Sequence, residues 1–239
     1  MMTYPYKDRI EMLEVALSGR LVQMRYAPLR PELANMVRLF LVDTFGVIGA
    51  ARTAPGIADL NAAMASLSGP AGATVLLSGA RIDPASAAVA NAAAAHALDF
   101  DDQYDPARIH AFCVVLPAAM AAAQLRGGVS GTEFLTAVTL GVELFCRPGL
   151  ACHDNLNKGW HPTTMLGVFA AAATAGTMLE LNTDQMVSAL GLAFTQMGGT
   201  TQSIKDVVLA KRLGPASRHE AGCWRPISRA RGSPERGVA

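Results

Sequence analysis

Charge is scarce and evenly split in this 239-residue chain: charged residues make up 16%, with 20 Lys plus Arg against 19 Asp plus Glu. A formal net charge of +1 leaves no field of one sign. That excludes nucleic-acid binding by bulk charge and a polybasic membrane-surface role. Cysteine is scarce too. The four thiols, Cys113, Cys146, Cys152 and Cys223, are irregularly spaced and form no CxxC pair, which excludes a zinc ribbon and argues against a disulfide scaffold. Free thiols and a cytoplasmic location are expected. The N-terminal stretch MMTYPYKDRIEMLEVALSGR carries charge throughout and no apolar run, so no secretory signal is expected. Extended runs are nearly missing as well, 73–77 (ATVLL) being the one convincing example.

What the chain does have is apolar bulk. Hydrophobic residues make up 51%, enough to bury a large core and to exclude global disorder. The apolar positions recur at helical spacing. Residues 29–50 read as a long helix, with Pro31 in the first turn and Leu33, Met36, Val37, Phe40, Leu41, Thr44, Val47 and Ile48 following. Residues 57–67 form a shorter helix. Asp83 and Pro84 read as an N-cap and a first-turn proline for a helix over 85–98. Pro117 reads as the start of another helix, which ends at Gly127-Gly128. Ser130 or Thr132 caps the next, which stops near Cys146 ahead of Pro148. Pro162 opens a helix to about Leu179, and Asn182 or Thr183 caps one ending near Gly198-Gly199. The uncharged stretch 161–179 is rich in Ala, Thr and Gly, not Leu and Ile. It reads as a buried helix and not a membrane span. The expected fold is all-α, a multi-helix bundle with buried central helices. Residues 1–28 form an N-terminal segment, 29–215 the helical domain, and 216–239 an Arg/Pro/Gly-rich tail expected to be disordered.

Three polar clusters interrupt this apolar texture. The densest, HALDFDDQYDPARIH over 96–110, holds Asp99, Asp101, Asp102 and Asp105 between two histidines. Buried carboxylates cost several kcal/mol each unless paired, and aspartate is electrostatically wrong at a helix C-terminus. The cluster is therefore either an elaborate cap or a site. Asp101, Asp102 and Asp105 also spell DDxxD, the pattern with which prenyl-diphosphate enzymes hold Mg²⁺. The second acidic motif such enzymes need does not follow. The second cluster, GWHPTT over 159–164, sets His161 at a helix start, where free N–H groups suit an anion and lower a histidine's pKa. A capping histidine is the plainer alternative. The third cluster, Lys205-Asp206 then Lys211-Arg212, is a charged turn able to reach a carboxylate.

Taken in order, ANAAAAHALDFDD, a histidine, LPAAMAAAQLRGGVSGTEFLTAVTLGVELFCR, GWHPTTMLGVFAAAATAG and KRLGP resemble the 2-methylcitrate dehydratase (MmgE/PrpD) family. Asp43-Thr44-Phe45-Gly46 resembles another segment of it. The likeness spans roughly Pro31 to Pro215. It implies a lyase or isomerase working by proton transfer beside a carboxylate of a small di- or tricarboxylate. Known members include 2-methylcitrate dehydratase, cis-aconitate decarboxylase and iminodisuccinate epimerase. No metal and no organic cofactor are implied. The implied fold is a helical domain with an α+β lid, assembled as a homodimer, with no nucleic-acid or membrane partner. The resemblance places catalytic roles on Asp99, His110, His161 and Lys211, and substrate contacts on Asp102, Gln103 and Lys211. Gln103 stands where the family often has threonine.

Family members are longer, and this chain leaves their pattern near Ala216. It is therefore expected to be a truncated or frame-shifted member without the lid, with its site open to water and its activity impaired. The alternative from another class is a non-catalytic helical remnant that self-associates.

Overall fold

The computed structural model describes residues 7–218, apart from 157 and 207. It is mostly helical, as the apolar spacing requires. In chain order the helices are α1 (Lys7–Met24), α2 (Pro31–Ala50), α3 (Ile57–Leu67), α4 (Pro84–Ala95), α5 (Phe112–Leu125), α6 (Gly131–Leu156), α7 (Pro162–Met178), α8 (Thr183–Thr195), α9 (Gln202–Lys205) and α10 (Ala210–Arg218). Among the described residues one small sheet pairs β1 (Pro70–Thr74) with β2 (Arg81–Ile82) antiparallel, with an irregular register between Pro70 and Ala73. The strand thus begins ahead of the expected 73–77 run. The Asn91 side chain holds the chain beyond it, accepting from the Leu76 N–H at 2.9 Å and donating to the Thr74 carbonyl at 2.9 Å. Of the tail expected over 216–239, residues 216–218 extend α10 and the rest lies outside the described residues, as does Cys223.

Most helix starts carry the chemistry expected of them. Asp83 accepts from the N–H groups of Ala85 and Ser86 at 3.0 and 3.1 Å ahead of Pro84. Asn182 and Gln185 close a capping box on α8, and Ser130 and Glu133 do the same ahead of α6. The two proline readings need correction. Helix α5 starts at Phe112, so Pro117 lies inside it. Helix α6 runs through Pro148 to Leu156 instead of stopping near Cys146. An interior proline costs about 3 kcal/mol of helix propensity, and tertiary contacts outweigh it here. Asp102 anchors the head of α5 from outside the helix. Beyond Pro148, Gly149 lies against Ala107 and Ile109 of the preceding loop.

Helices α4, α5 and α7 form the centre, with nearly every side chain buried. Their alanines let the helix axes approach closely, and α6 crosses α7 at a point that admits no side chain at all. A Cβ on Gly141 would lie 1.9 Å from Thr174 Oγ1 and 3.1 Å from Val115 Cγ1. The stretch 161–179, read as a buried helix, is that central α7. Helices α2 and α6 are long and apolar enough to cross a membrane. The inward face of α2 buries Val37, Thr44, Val47 and Ile48, while Met36, Leu39 and Val42 stay exposed.

The α6–α7 crossing gives a direct test. Gly141→Ala should destabilise the fold by about 1–3 kcal/mol through overpacking. Thr174→Ala, which removes the nearest atom, should restore part of that loss. Urea denaturation of the single and double variants measures both.

Candidate active site

The loop between α4 and α5, residues 96–111, folds back on the heads of α5 and α7 and carries most of the site. Two adjacent aspartates hold it. Asp102 turns toward α5, its carboxylate accepting from the Ala111 and Phe112 N–H groups at 3.0 and 2.9 Å. A carboxylate at the positive end of a helix dipole is well placed. Burial is nevertheless the largest influence on it. With Asp101 adding repulsion, burial outweighs those two bonds and the His110 charge, and raises Asp102 to about 6. Asp101 turns the other way, into the core. Its Oδ2 lies 2.8 Å from His96 Nδ1 and 3.5 Å from His110 Nδ1. Burial would raise Asp101, but the His96 bond and the charges of His96 and His110 win and hold it below the usual carboxylate range.

Three imidazoles gather there. The His96 ring centre is 5.0 Å from that of His110 and 6.4 Å from that of His161. Hydrogen-bond partners settle the tautomers of two of them. His110 Nδ1 lies 2.9 Å from the Asp102 carbonyl oxygen. A carbonyl only accepts, so this nitrogen carries a proton, and Nε2 is the atom left for the cavity that His110 lines. The His110 backbone N–H donates to Thr163 Oγ1 at 3.1 Å, tying the ring's position to the first turn of α7. His161 is the reverse case. As N-cap of α7 it accepts at Nδ1 from the Thr164 hydroxyl at 2.7 Å and from the Thr164 N–H at 3.3 Å, so its proton sits on Nε2. Burial first, then the charges of His96, His110 and Lys211, push His161 down to about 4, against the pull of Asp99. It is neutral at pH 7. The capping and site readings of His161 are therefore both satisfied by one side chain.

Asp99 and Lys211, 112 residues apart, form an ion pair on the rim. Asp99 has φ 56°, a left-handed conformation that aspartate tolerates better than most residues. Burial is the largest single influence and raises its pKa, but the Lys211 hydrogen bond and charge, together with the charges of His96 and His110, make the net direction down. Lys211 arrives on α10, which sits close over α7: a Cβ on Gly214 would stand 2.6 Å from Thr164 Oγ1. The loop before α9 approaches the same residue, since a Cβ on Gly199, at φ 113°, would lie 2.4 Å from Thr164 Cγ2.

Two cavities share the histidine cluster as a wall. One of about 660 Å³ is lined by Gln103, Arg108, His110, His161 and Lys205, among others. The other, of about 360 Å³, is lined by His96, Asp99, Lys211 and Arg212 with apolar neighbours. The structure thus brings Asp99, His110, His161 and Lys211 into one region. Gln103 lies on the cavity wall with its amide donating to Asp105. Asp102 is committed to α5. The three aspartates of DDxxD are engaged separately, with His96, with α5 and with Gln103, and do not make one open cation site. His96 and Asp101, in view in the sequence cluster, were given no role there. Lys205 of the third polar cluster reaches the same cavity wall, as does Arg108, which the sequence does not mark because it does not show which loops meet.

Among the described residues, His96, Asp101 and Cys113 place ligand atoms within 4.8 Å of one another. Burial first, then Asp101 and Asp102, raise the Cys113 thiol well above its usual value, so without a bound cation it is a protonated thiol. Cys113, Cys146 and Cys152 are free.

The opposed shifts of His161 and Asp102 make a pH prediction. A histidine lowered from 6.5 to about 4 binds its proton less readily folded than unfolded. Its contribution, at most about 3 kcal/mol, is present above pH 6.5 and lost as pH falls toward 4. Asp102, raised from 3.8 to about 6, does the opposite and adds a similar amount as pH falls from 6 to 3.8. The two nearly cancel. His161→Asn keeps a capping acceptor and removes the titration, so its urea stability should rise by about 1–3 kcal/mol between pH 6.5 and 4. A flat profile for that variant contradicts these assignments.

Comparison with known proteins agrees with the geometry. A cis-aconitate decarboxylase-like protein, oryM, of Aspergillus oryzae is 39% identical over 127 residues, which is 50% of this chain and 26% of that protein. Cis-aconitate decarboxylase of Aspergillus terreus is 35% identical over 136 residues, 54% of this chain and 28% of that one. The Homo sapiens cis-aconitate decarboxylase is 29% identical over 147 residues, 58% and 30% of the two chains. The aligned region is thus less than a third of each relative's length. The MmgE/PrpD N-terminal domain matches residues 15–222, and the chain belongs to the MmgE/PrpD family.

Proposed function

We propose that this chain is the histidine-bearing part of a lyase that acts on a small polycarboxylate, with cis-aconitate the first candidate. The observation that carries the reading is the pair of opposite tautomers. His161 presents an N–H and is neutral, which suits it to hold a carboxylate oxygen by hydrogen bond and not to surrender a proton. His110 presents Nε2, the atom that exchanges a proton. Arg108, Lys205 and Lys211 add positive charge on the walls, as a multiply anionic substrate needs.

In a decarboxylation the bond to the departing carboxylate breaks and carbon dioxide leaves. The electron pair stays on the carbon skeleton, and a proton from doubly protonated His110 closes the new C–H bond. In a dehydration of the 2-methylcitrate type the same Nε2, unprotonated, takes the proton beside a carboxylate, the C–H electron pair forms the new carbon–carbon double bond, and the C–O bond breaks so that the hydroxyl leaves with a solvent proton as water. The relatives favour decarboxylation. A homodimer and a cytoplasmic location belong to the same proposal.

The reading predicts saturable binding of cis-aconitate to this chain, with the His110 and His161 ring resonances shifting together. Lys211→Ala should weaken it about tenfold or more, the loss of one charge-assisted contact. Carbon dioxide release against water loss, each followed directly, separates decarboxylation from dehydration. Absence of saturable binding to either acid would overturn the proposal.

A further inference from the structure

His96 and Asp101 are buried, with side chains 0% exposed. Neither lines the cavity that holds His110 and His161. Their pairing does not account for itself as stabilisation. Asp101 Oδ1 and His96 Nε2 have no hydrogen-bond partner although both are buried. A half-satisfied buried pair is generally no more stable than apolar side chains of the same volume.

Geometry supplies another account. Asp101 Oδ2 faces two imidazole nitrogens, His96 Nδ1 at 2.8 Å and His110 Nδ1 at 3.5 Å. The Asp102 carbonyl at 2.9 Å is the hydrogen-bond acceptor of His110 Nδ1, and the Asp101 carboxylate adds negative charge beside the same nitrogen. The other tautomer would set a ring lone pair against both. His96 in turn is fixed by the end of α4, where its N–H reaches the Ala92 and Ala94 carbonyls. Its ring stands edge-on to His110, at an interplanar angle of 63°. His96 therefore holds Asp101, and Asp101 holds the proton of His110 on the side away from the cavity.

We propose that Asp101 and His96 are positioning residues that reinforce the Asp102 carbonyl in holding the His110 proton on Nδ1, and so bias which ring nitrogen meets the substrate. This rests on the function proposed above only in giving His110 the proton transfer; the tautomer itself is a property of the chain alone. Asp101 lines neither cavity, and His96, whose side chain is buried, borders only the smaller one. Asp101 keeps Nε2 as the reacting atom, and His96 keeps Asp101 in place.

The test uses the intact chain labelled with ¹⁵N-histidine and a long-range ¹H–¹⁵N correlation, which shows the protonated nitrogen of each ring. In the unmodified protein neutral His110 is expected with its proton on Nδ1. Asp101→Asn should move the ratio at least tenfold toward the Nε2 tautomer, while the His161 ring keeps its Nε2 proton. His96→Ala should move His110 the same way. His96→Asn, whose amide can replace the Nδ1 donor, should restore the original tautomer. Thermal denaturation identifies a variant that has merely lost its fold, and the comparison of His96→Ala with His96→Asn stands if Asp101→Asn does not fold. An unchanged His110 tautomer in folded Asp101→Asn, or in folded His96→Ala, would overturn the proposal. Because no turnover is measured, that result would leave the lyase reading intact, and a failure of cis-aconitate binding would leave this one intact.

Discussion

Two neighbouring carboxylates facing opposite ways organise this molecule. Asp102 looks outward along the chain to the first amides of α5, and Asp101 looks inward to a histidine at the end of α4. Between them they pin the 96–111 loop to two central helices at once. The helix start, the burial of His96 and the orientation of His110 all follow from that pinning. A carboxylate facing a helix N-terminus is favourable, and a carboxylate taken into the core is tolerable only beside a donor. The sequence supplies both solutions in consecutive residues.

The same arrangement explains why the local proline rules failed where they did. At Pro31, Pro84 and Pro162 the proline sits in the first turn. At Pro117 the helix is nucleated five residues earlier, because Asp102 satisfies amides that would otherwise be orphaned. Nothing in the spacing of the helix itself announces that partner, since it lies on the preceding loop. The helical character of the chain, by contrast, was legible from apolar period and caps, which are local.

The site divides along the same line. Asp99, His110, His161 and Lys211 were visible as candidates, and the fold gathers them. Which atom of each does what was not legible. The proton on His110 depends on a backbone carbonyl, that on His161 on a threonine three residues away, and the company of both on His96. Asp101 and Asp102, adjacent in sequence and identical in type, acquire opposite shifts because one meets imidazoles and the other meets amides in a poorly solvated corner. Only the three-dimensional surroundings separate them.

The ion pair across 112 residues between Asp99 and Lys211 carries a consequence for the order in which the protein is made. Synthesis proceeds from the N-terminus, and early segments can begin to organise while later ones are still being added. The histidines and their aspartates all precede α8, whereas the lysine comes on α10. A nascent chain can therefore assemble its histidine cluster before it owns the rim cation that answers Asp99. Until α10 docks beside Thr164, the left-handed turn at Asp99 lacks its lysine partner, so the rim of this site is completed late in synthesis.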